Sequence, residues 1–141
     1  SMGKRVTLKI TKANRQVEVE LTNRDEIPDY WGYIVTPERH TFREIVKRRG
    51  FDLTIATSKY GVSFANVEEK IAEKWRKAEN ILLAFGAPTQ GLYEIVRCEG
   101  FSLNDVVDFV VNTIQMQGTE TVRTEEALIA SLAILNMHSC V

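Results

Sequence analysis

Residues 127–135, "ALIASLAIL", read as a helix with apolar side chains on nearly every face and small residues, Ala127, Ala130, Ser131 and Ala133, set between large ones. A solvated helix keeps a polar stripe, so a helix of this composition is wrapped by protein on most sides. At the end of a chain, that demands an unusual backbone path or a subunit interface. Directly before it stands "IQMQGTETVR", residues 114–123, polar and threonine-rich. A loop of this kind offers backbone N–H groups at a helix N-terminus, suited to polar or anionic ligand atoms. Thr124 is the expected helix cap, and Glu125 and Glu126 suit the positive end of the helix dipole. Gly118 admits close backbone approach, Thr119 and Thr121 offer hydroxyls, and Arg123 is expected to ion-pair with the neighbouring glutamates.

Upstream, the apolar pattern changes period repeatedly. "RVTLKIT" (5–11) and "RQVEVEL" (15–21) alternate with period two around "KAN" and predict a β-hairpin with one buried face. "YWGYIV" (30–35) predicts a strand entered at Pro28; Tyr30, Trp31 and Tyr33 serve there as strand packing or as a base-stacking platform. "TFREIVKRR" predicts a short basic helix ended by Gly50. Then follow "DLTIATS" as a strand, "KYGVSFA" as a loop, and "NVEEKIAEKWRKA" as an amphipathic helix capped by Asn66. "NILLAF" has the continuous apolar character of a strand covered on both faces. "GAPTQG" is a turn, "LYEIVR" a helix and "VDFVVNTI" a buried strand. Strands alternating with helices predict an α/β fold with a parallel sheet and flanking helices.

In open parallel sheets, ligands settle beyond the carboxyl ends of the strands. Three such ends mark the expected pocket walls: Thr57-Ser58, Phe85-Gly86, and Asn112-Thr113-Ile114 with the loop after it. Gly86 and Gly91 have the spacing of a phosphate-cradling P-loop, but Leu92 and Tyr93 stand where its Lys and Ser/Thr belong. A phosphate-dominated cofactor is therefore disfavoured. Taken alone, "FGAPTQGL" is a tight strand-to-helix turn made by Gly, Pro and Gly for steric reasons.

Other chemistries lack their residues. No apolar run approaches the roughly 18 residues of a membrane span. Cys98 and Cys140 are far apart with no paired spacing, and the chain has only two histidines, His40 and His138. That argues against a structural metal site and for a reducing compartment, read as cytoplasm, with both thiols as inert packing. No serine sits in a G-x-S-x-G elbow. The first fifty residues carry a net +4 and the remainder −5, against −1 overall. The basic end suits either a solvated surface or an RNA backbone. The opening "SMG" reads as an expression-tag remnant joined to a start.

"YWGYIV", "DLTIATSKYG", "ILLAFGAPTQGLYEI" and "VVNTIQMQGTETVRTEEALIASLAILN" together resemble, in that order, the archaeal and eukaryotic RNA methyltransferase family of the SPOUT superfamily. The resemblance implies an α/β domain with a deep C-terminal trefoil knot, here residues 37–141. It also implies a preceding β segment, residues 1–36, that is part of an inserted OB-like barrel gripping RNA. S-adenosylmethionine is the implied cofactor and a homodimer the implied assembly, and the last helix is threaded through a loop and packed at the subunit interface. Carried over by position, the cofactor loops are Thr57-Ser58, the turn of Phe85, Gly86, Ala87, Pro88, Gly91 and Leu92, and Asn112 to Val122 with Gln117 and Thr119. Backbone groups of Ile114, Gly118 and Thr121 are expected around the adenine. Only the later half of the family pattern is present, so exposed sheet edges and association with a second chain are expected.

Arg123 is the candidate for orienting acceptor or phosphate and Glu125 for proton handling, since methyl transfer needs positioning and a base. A non-catalytic RNA-binding module and a dimerisation platform are the alternative readings.

Overall fold

A computed structural model describes residues 6–14, 16–23, 26–27 and 33–137. The chain divides into two compact units, Ser1–Pro37 and Glu38–Val141. In the first, β1 (Thr7–Ala13) and β2 (Val17–Thr22) pair antiparallel, with Leu8 opposite Leu21 and Ile10 opposite Val19. The register slips between Ile10 and Lys12, and the Thr11 hydroxyl donates to Glu18 O at 3.2 Å beside that irregularity. The hairpin forms as its alternation predicts. Its apolar face, however, is exposed: even Val19 is 47% accessible and Leu21 75%. Alternation specifies which side chains share a face and says nothing about what covers them.

The strand predicted at "YWGYIV" is not found where it can be judged. Pro28, Tyr30, Trp31 and Gly32 lie outside the described residues, and Tyr33 to Val35 are exposed chain outside any strand.

The second unit opens with α1 (Phe42–Arg49), whose N-terminus is closed twice over. Thr41 Oγ1 accepts from Glu44 N at 3.3 Å, and Glu44 Oε2 accepts from Thr41 N at 3.0 Å. Those hydrogen bonds hold the Glu44 carboxyl below its ordinary range. From far along the chain, Glu99 Oε1 accepts from Phe42 N at 2.8 Å. Gly50 ends the helix at φ 60°, a left-handed conformation that costs glycine least.

Then follow β3 (Leu53–Ser63), α2 (Phe64–Trp75), β4 (Ile81–Ala84), α3 (Leu92–Cys98), a 3-10 turn at Leu103–Asp105, β5 (Phe109–Asn112) and α4 (Thr124–Asn136). The sheet order is β4-β3-β5 with both pairings parallel. Central β3 sends Leu53 and Ile55 into one cluster with Phe64 and Ile71 of α2, Val111 of β5 and Leu135 of α4. Ala56 joins the other cluster, with Ala84, Leu92 and Val96 of α3, Leu103, Val107 and Val110. Each large aliphatic side chain fully removed from water contributes about 1.5–3 kcal/mol. Helices thus cover both faces, the α/β arrangement expected of the sequence. β4 is an edge strand, and Ile81 to Leu83 are only half-buried rather than covered on both sides.

Three local expectations are corrected. "KYGVSFA" is not a loop: β3 runs on through Ser63, and α2 begins at Phe64, so Asn66 lies in its first turn instead of capping it. Strand and helix abut there without a turn, and the N-cap residue, Ser63, makes no side-chain capping hydrogen bond to mark the boundary. Cys98 is exposed at the end of α3, while Cys140 and His138 are outside the described residues.

The continuation of β3 is irregular. Thr57 and Val62 are both matched with Val111, so residues 58–61 leave the ladder as an excursion and return to it. Gly61 makes this geometry fit, since a Cβ there would lie 2.6 Å from Val111 C and 2.8 Å from its Cα and N. Main-chain atoms inside a sheet cannot step aside as a flexible side chain can. At the start of β5, Asp108 gathers the layers: Thr54 N and Oγ1 donate to Asp108 Oδ2 at 2.9 and 2.8 Å, and Lys74 Nζ to Oδ1 at 2.6 Å.

Gly61→Ala is expected to lower stability by about 1–3 kcal/mol through overpacking, read as a reduced midpoint in urea. For Asp108, burial pushes the carboxyl up, but the bonds from Lys74 and Thr54 outweigh it and hold it below its ordinary value of 3.8. A depressed folded-state value means the contribution is complete above the unfolded value and fades as pH falls through the folded one. Asp108→Ala should therefore lower the melting temperature at neutral pH, with the difference from wild type shrinking below about pH 4. A difference that persisted undiminished at low pH would contradict the ionic account.

Candidate functional site

Beyond the carboxyl ends of β3, β4 and β5 lies an open cleft of about 550 Å³, within the usual range of ligand pockets. Its walls are the β3 excursion, the β4–α3 turn, the β5–α4 loop and the first turn of α4.

The β4–α3 turn is compact. Ala87 and Gln90 exchange backbone hydrogen bonds at 2.9 and 3.2 Å, and a Cβ on Gly86 would come within 3.0 Å of Gln90 O. Gly91 differs: a Cβ there meets nothing within 4 Å, and its φ of −74° suits any residue. Its freedom from neighbours faces a cleft it helps to line.

On the opposite side, the side-chain amide of Asn112 fastens two walls at once. Asn112 Nδ2 donates to Lys59 O at 3.2 Å in the excursion, and Oδ1 accepts from Ile114 N at 3.0 Å. Thr57 Oγ1 donates to Ala84 O at 3.1 Å, joining the ends of β3 and β4. These two polar side chains hold the cleft in shape through contacts to the protein itself. The 115–123 loop is closed largely by its own groups: Gln117 Nε2 donates to Thr119 O and Glu120 O at 2.9 and 3.0 Å, and Thr119 Oγ1 to Thr121 O at 2.9 Å. Lys59 Nζ reaches across to Glu120 O at 3.2 Å. Met116 adopts φ 54° and is 99% exposed. A non-glycine residue in that conformation is strained, by roughly 1–3 kcal/mol.

α4 begins after this loop with Arg123 at the N-cap position, and Glu126 Oε2 accepts from Arg123 N at 3.4 Å. Glu126 thus does the capping expected of Thr124, which is the first helical residue. The expected ion pair is also missing, since Arg123 bridges to no carboxylate among the described residues. Further along, Ser131 and Thr113 share a hydroxyl–hydroxyl hydrogen bond of 2.8 Å, both buried. That contact fixes α4 against the end of β5.

Of the residues singled out in the sequence, Thr57, Ser58, Phe85, Gly86, Ala87, Pro88, Gly91, Leu92, Asn112, Ile114, Gln117, Thr121, Val122, Arg123 and Glu125 line the cleft. Gly118 and Thr119 do not. A Cβ on Gly118 would meet nothing within 4 Å, and the left-handed residue of the loop is Met116. Sequence reasoning missed Lys59, Tyr60, Tyr93, Glu94 and Ala127, which also line it. For Lys59 and Tyr60 the available signal was the glycine directly after them, which marks a point where backbones touch. The lining carboxylates Glu94, Glu120 and Glu125 outnumber the cations Lys59 and Arg123, leaving a formal charge of −1.

His40 stands apart from the cleft, 2.5 Å from Arg48 Nη1 on α1. No three His, Cys, Asp or Glu side chains among the described residues converge as a metal ion requires. No helix among them is long and apolar enough to cross a membrane.

Comparison with known proteins places this geometry in context. The family described as "Putative RNA methyltransferase" matches residues 1–135. An uncharacterized protein of Halobacterium salinarum is 31% identical over 153 residues, covering 97% of this chain and 50% of its own length. Proteins named 28S rRNA (uridine-N(3))-methyltransferase are 38% identical over 113 residues in mouse and 33% over 148 in Drosophila melanogaster. Those alignments cover 75% and 94% of this chain but only 28% and 29% of the relatives. The chain therefore spans half or less of the relatives it matches. With the match running from residue 1 to 135, this chain belongs to the RNA methyltransferase family so described.

Proposed function

We propose that the chain is the cofactor-binding part of a SPOUT-type methyltransferase that uses S-adenosylmethionine to methylate RNA. The observation carrying this reading is the cleft at three parallel strand ends, lined in large part by apolar side chains and backbone, with Leu92 standing where a phosphate cradle has its lysine. Its residues fit an adenosyl sulfonium: Phe85, Pro88, Leu92, Ile114 and Val122 offer apolar walls, and the carboxylate excess tolerates a cation. When bound, that cofactor supplies an electrophilic methyl group. In this reading residues 37–141 form the knotted domain, and residues 1–36 belong to an OB-like insert that contacts RNA.

The relatives' name specifies uridine N3 as acceptor. A uridine N3 carries a proton that must leave as the new N–CH3 bond forms. Glu125, on the first turn of α4 and lining the cleft, is the residue assigned to receive it. Arg123, with no described carboxylate to neutralise it, orients the acceptor through its phosphate. The assembly is a homodimer built on α4, which buries Ser131 and Leu135 but leaves Leu128 and Leu132 partly exposed and Ile129 70% exposed.

Calorimetry with S-adenosylmethionine is expected to show micromolar binding. Gly91→Leu, which adds a side chain at a cleft-lining position with open space around it, should retain the wild-type melting temperature and weaken binding at least about tenfold. RNA binding with no affinity for the cofactor would instead establish a non-catalytic module. Ile129→Asp is expected to convert the dimer to monomer in sedimentation; an unchanged sedimentation coefficient would remove α4 from the interface.

A further inference from the structure

The excursion of β3 exposes an aromatic ring that nothing in the fold requires. Tyr60 lines the cleft and is 75% exposed. Among the described residues its hydroxyl has no hydrogen-bond partner, and the position of the ring is set chiefly by its backbone. That backbone is rigid. Ser58 Oγ accepts from Tyr60 N at 3.2 Å, Asn112 Nδ2 donates to Lys59 O at 3.2 Å, and Gly61 is seated against the main chain of Val111. Strand irregularities of this kind occur beside functional sites, where they re-aim a side chain.

Two further observations define what the ring faces. Lys59 Nζ lies 5.2 Å from the Tyr60 ring centroid and 3.2 Å from Glu120 O, so one ammonium group links the ring to the β5–α4 loop. Arg123, which pairs with no described carboxylate, lines the same cleft. An exposed aromatic with one cation beside it and a second in the same cleft is the arrangement that binds an unpaired nucleotide, by base stacking and phosphate attraction.

Building on the methyltransferase reading above, we propose that Tyr60 is the stacking platform for the acceptor base of the RNA, with Lys59 and Arg123 serving its flanking phosphates. A uridine removed from its own strand loses its stacking neighbours. Tyr60 replaces one of them and so fixes the plane of the ring relative to the donor. This assigns a substrate-positioning role to a residue outside the apolar cofactor walls.

Fluorescence anisotropy with an end-labelled oligouridylate, and with a base-free oligomer of equal length and charge, isolates the stacking contribution. Wild type should bind the oligouridylate more tightly than the base-free oligomer. Tyr60→Ala should lose about tenfold for the oligouridylate and nothing for the base-free strand, while Tyr60→Phe and Tyr60→Trp retain wild-type affinity. Because the side chain is exposed, the melting temperature should be unchanged in all three. Equal binding of the two oligomers by wild type, or equal loss on both in Tyr60→Ala, overturns the proposal. Base-dependent loss in a chain that fails to bind S-adenosylmethionine supports the stacking platform and removes the donor reading instead.

Discussion

No side chain fits between residue 61 and the main chain of Val111, and the cleft follows from that close approach. With Gly61 against β5, the strand must leave the ladder after Thr57 and rejoin it at Val62. The four intervening residues cannot lie flat. They form a wall beyond the sheet, and Asn112, next along from Val111, ties that wall to the following loop through Lys59 O and Ile114 N. A contact between two backbones therefore determines which side chains line the cleft. Asp108 guards the other end of the same short strand by joining β5 to β3 and α2.

α4 shows how a small polar contact organises a largely apolar helix. Ser131 and Thr113 are buried, and each satisfies the other at 2.8 Å. Leaving one hydroxyl without its partner would cost about 1–3 kcal/mol. Hydrophobic burial around Leu135 could tolerate rotation of the helix; the hydroxyl pair fixes which face turns inward. The face left outside is still apolar. An all-apolar helix has two surfaces to cover, and the chain's own core covers one.

Much of this fold was legible because its signals are local. The period-two hairpin, the Thr41–Glu44 cap with Gly50, and the alternation of strands and helices all depend on neighbours in sequence. What was not legible depends on distant residues. The excursion at Ser58–Gly61 requires Val111, fifty residues later, so "KYGVSFA" looked like a loop. Glu126 displaces Thr124 as the cap because it reaches back to Arg123 N, a choice made by side-chain geometry. Gly118 drew attention as a point of close backbone approach, yet a Cβ there would meet nothing within 4 Å, and the left-handed position is held by Met116, whose type gives no hint of it. Within the site, strand ends located the pocket walls, whereas Lys59 and Tyr60 reach them only through the unforeseen excursion.

The two sides of the cleft differ in stiffness. The β3 excursion is fixed by a backbone contact with no room to relax and by the part-buried Thr57–Ala84 bond. The facing loop is held by its own side chains, by Lys59 Nζ on Glu120 O and by Gln115 Nε2 on Ser63 Oγ, all of them exposed bonds. An exposed hydrogen bond exchanges readily with water and contributes about 0.5–1.5 kcal/mol, comparable to the strain at Met116. A loop held by exposed bonds of this size opens more readily than a wall locked by close backbone contact. In the methyltransferase reading proposed above, this division suits a cleft that would admit a donor and then hold two reactants in register: the backbone-locked wall serves as the reference surface and the facing loop as the side that opens.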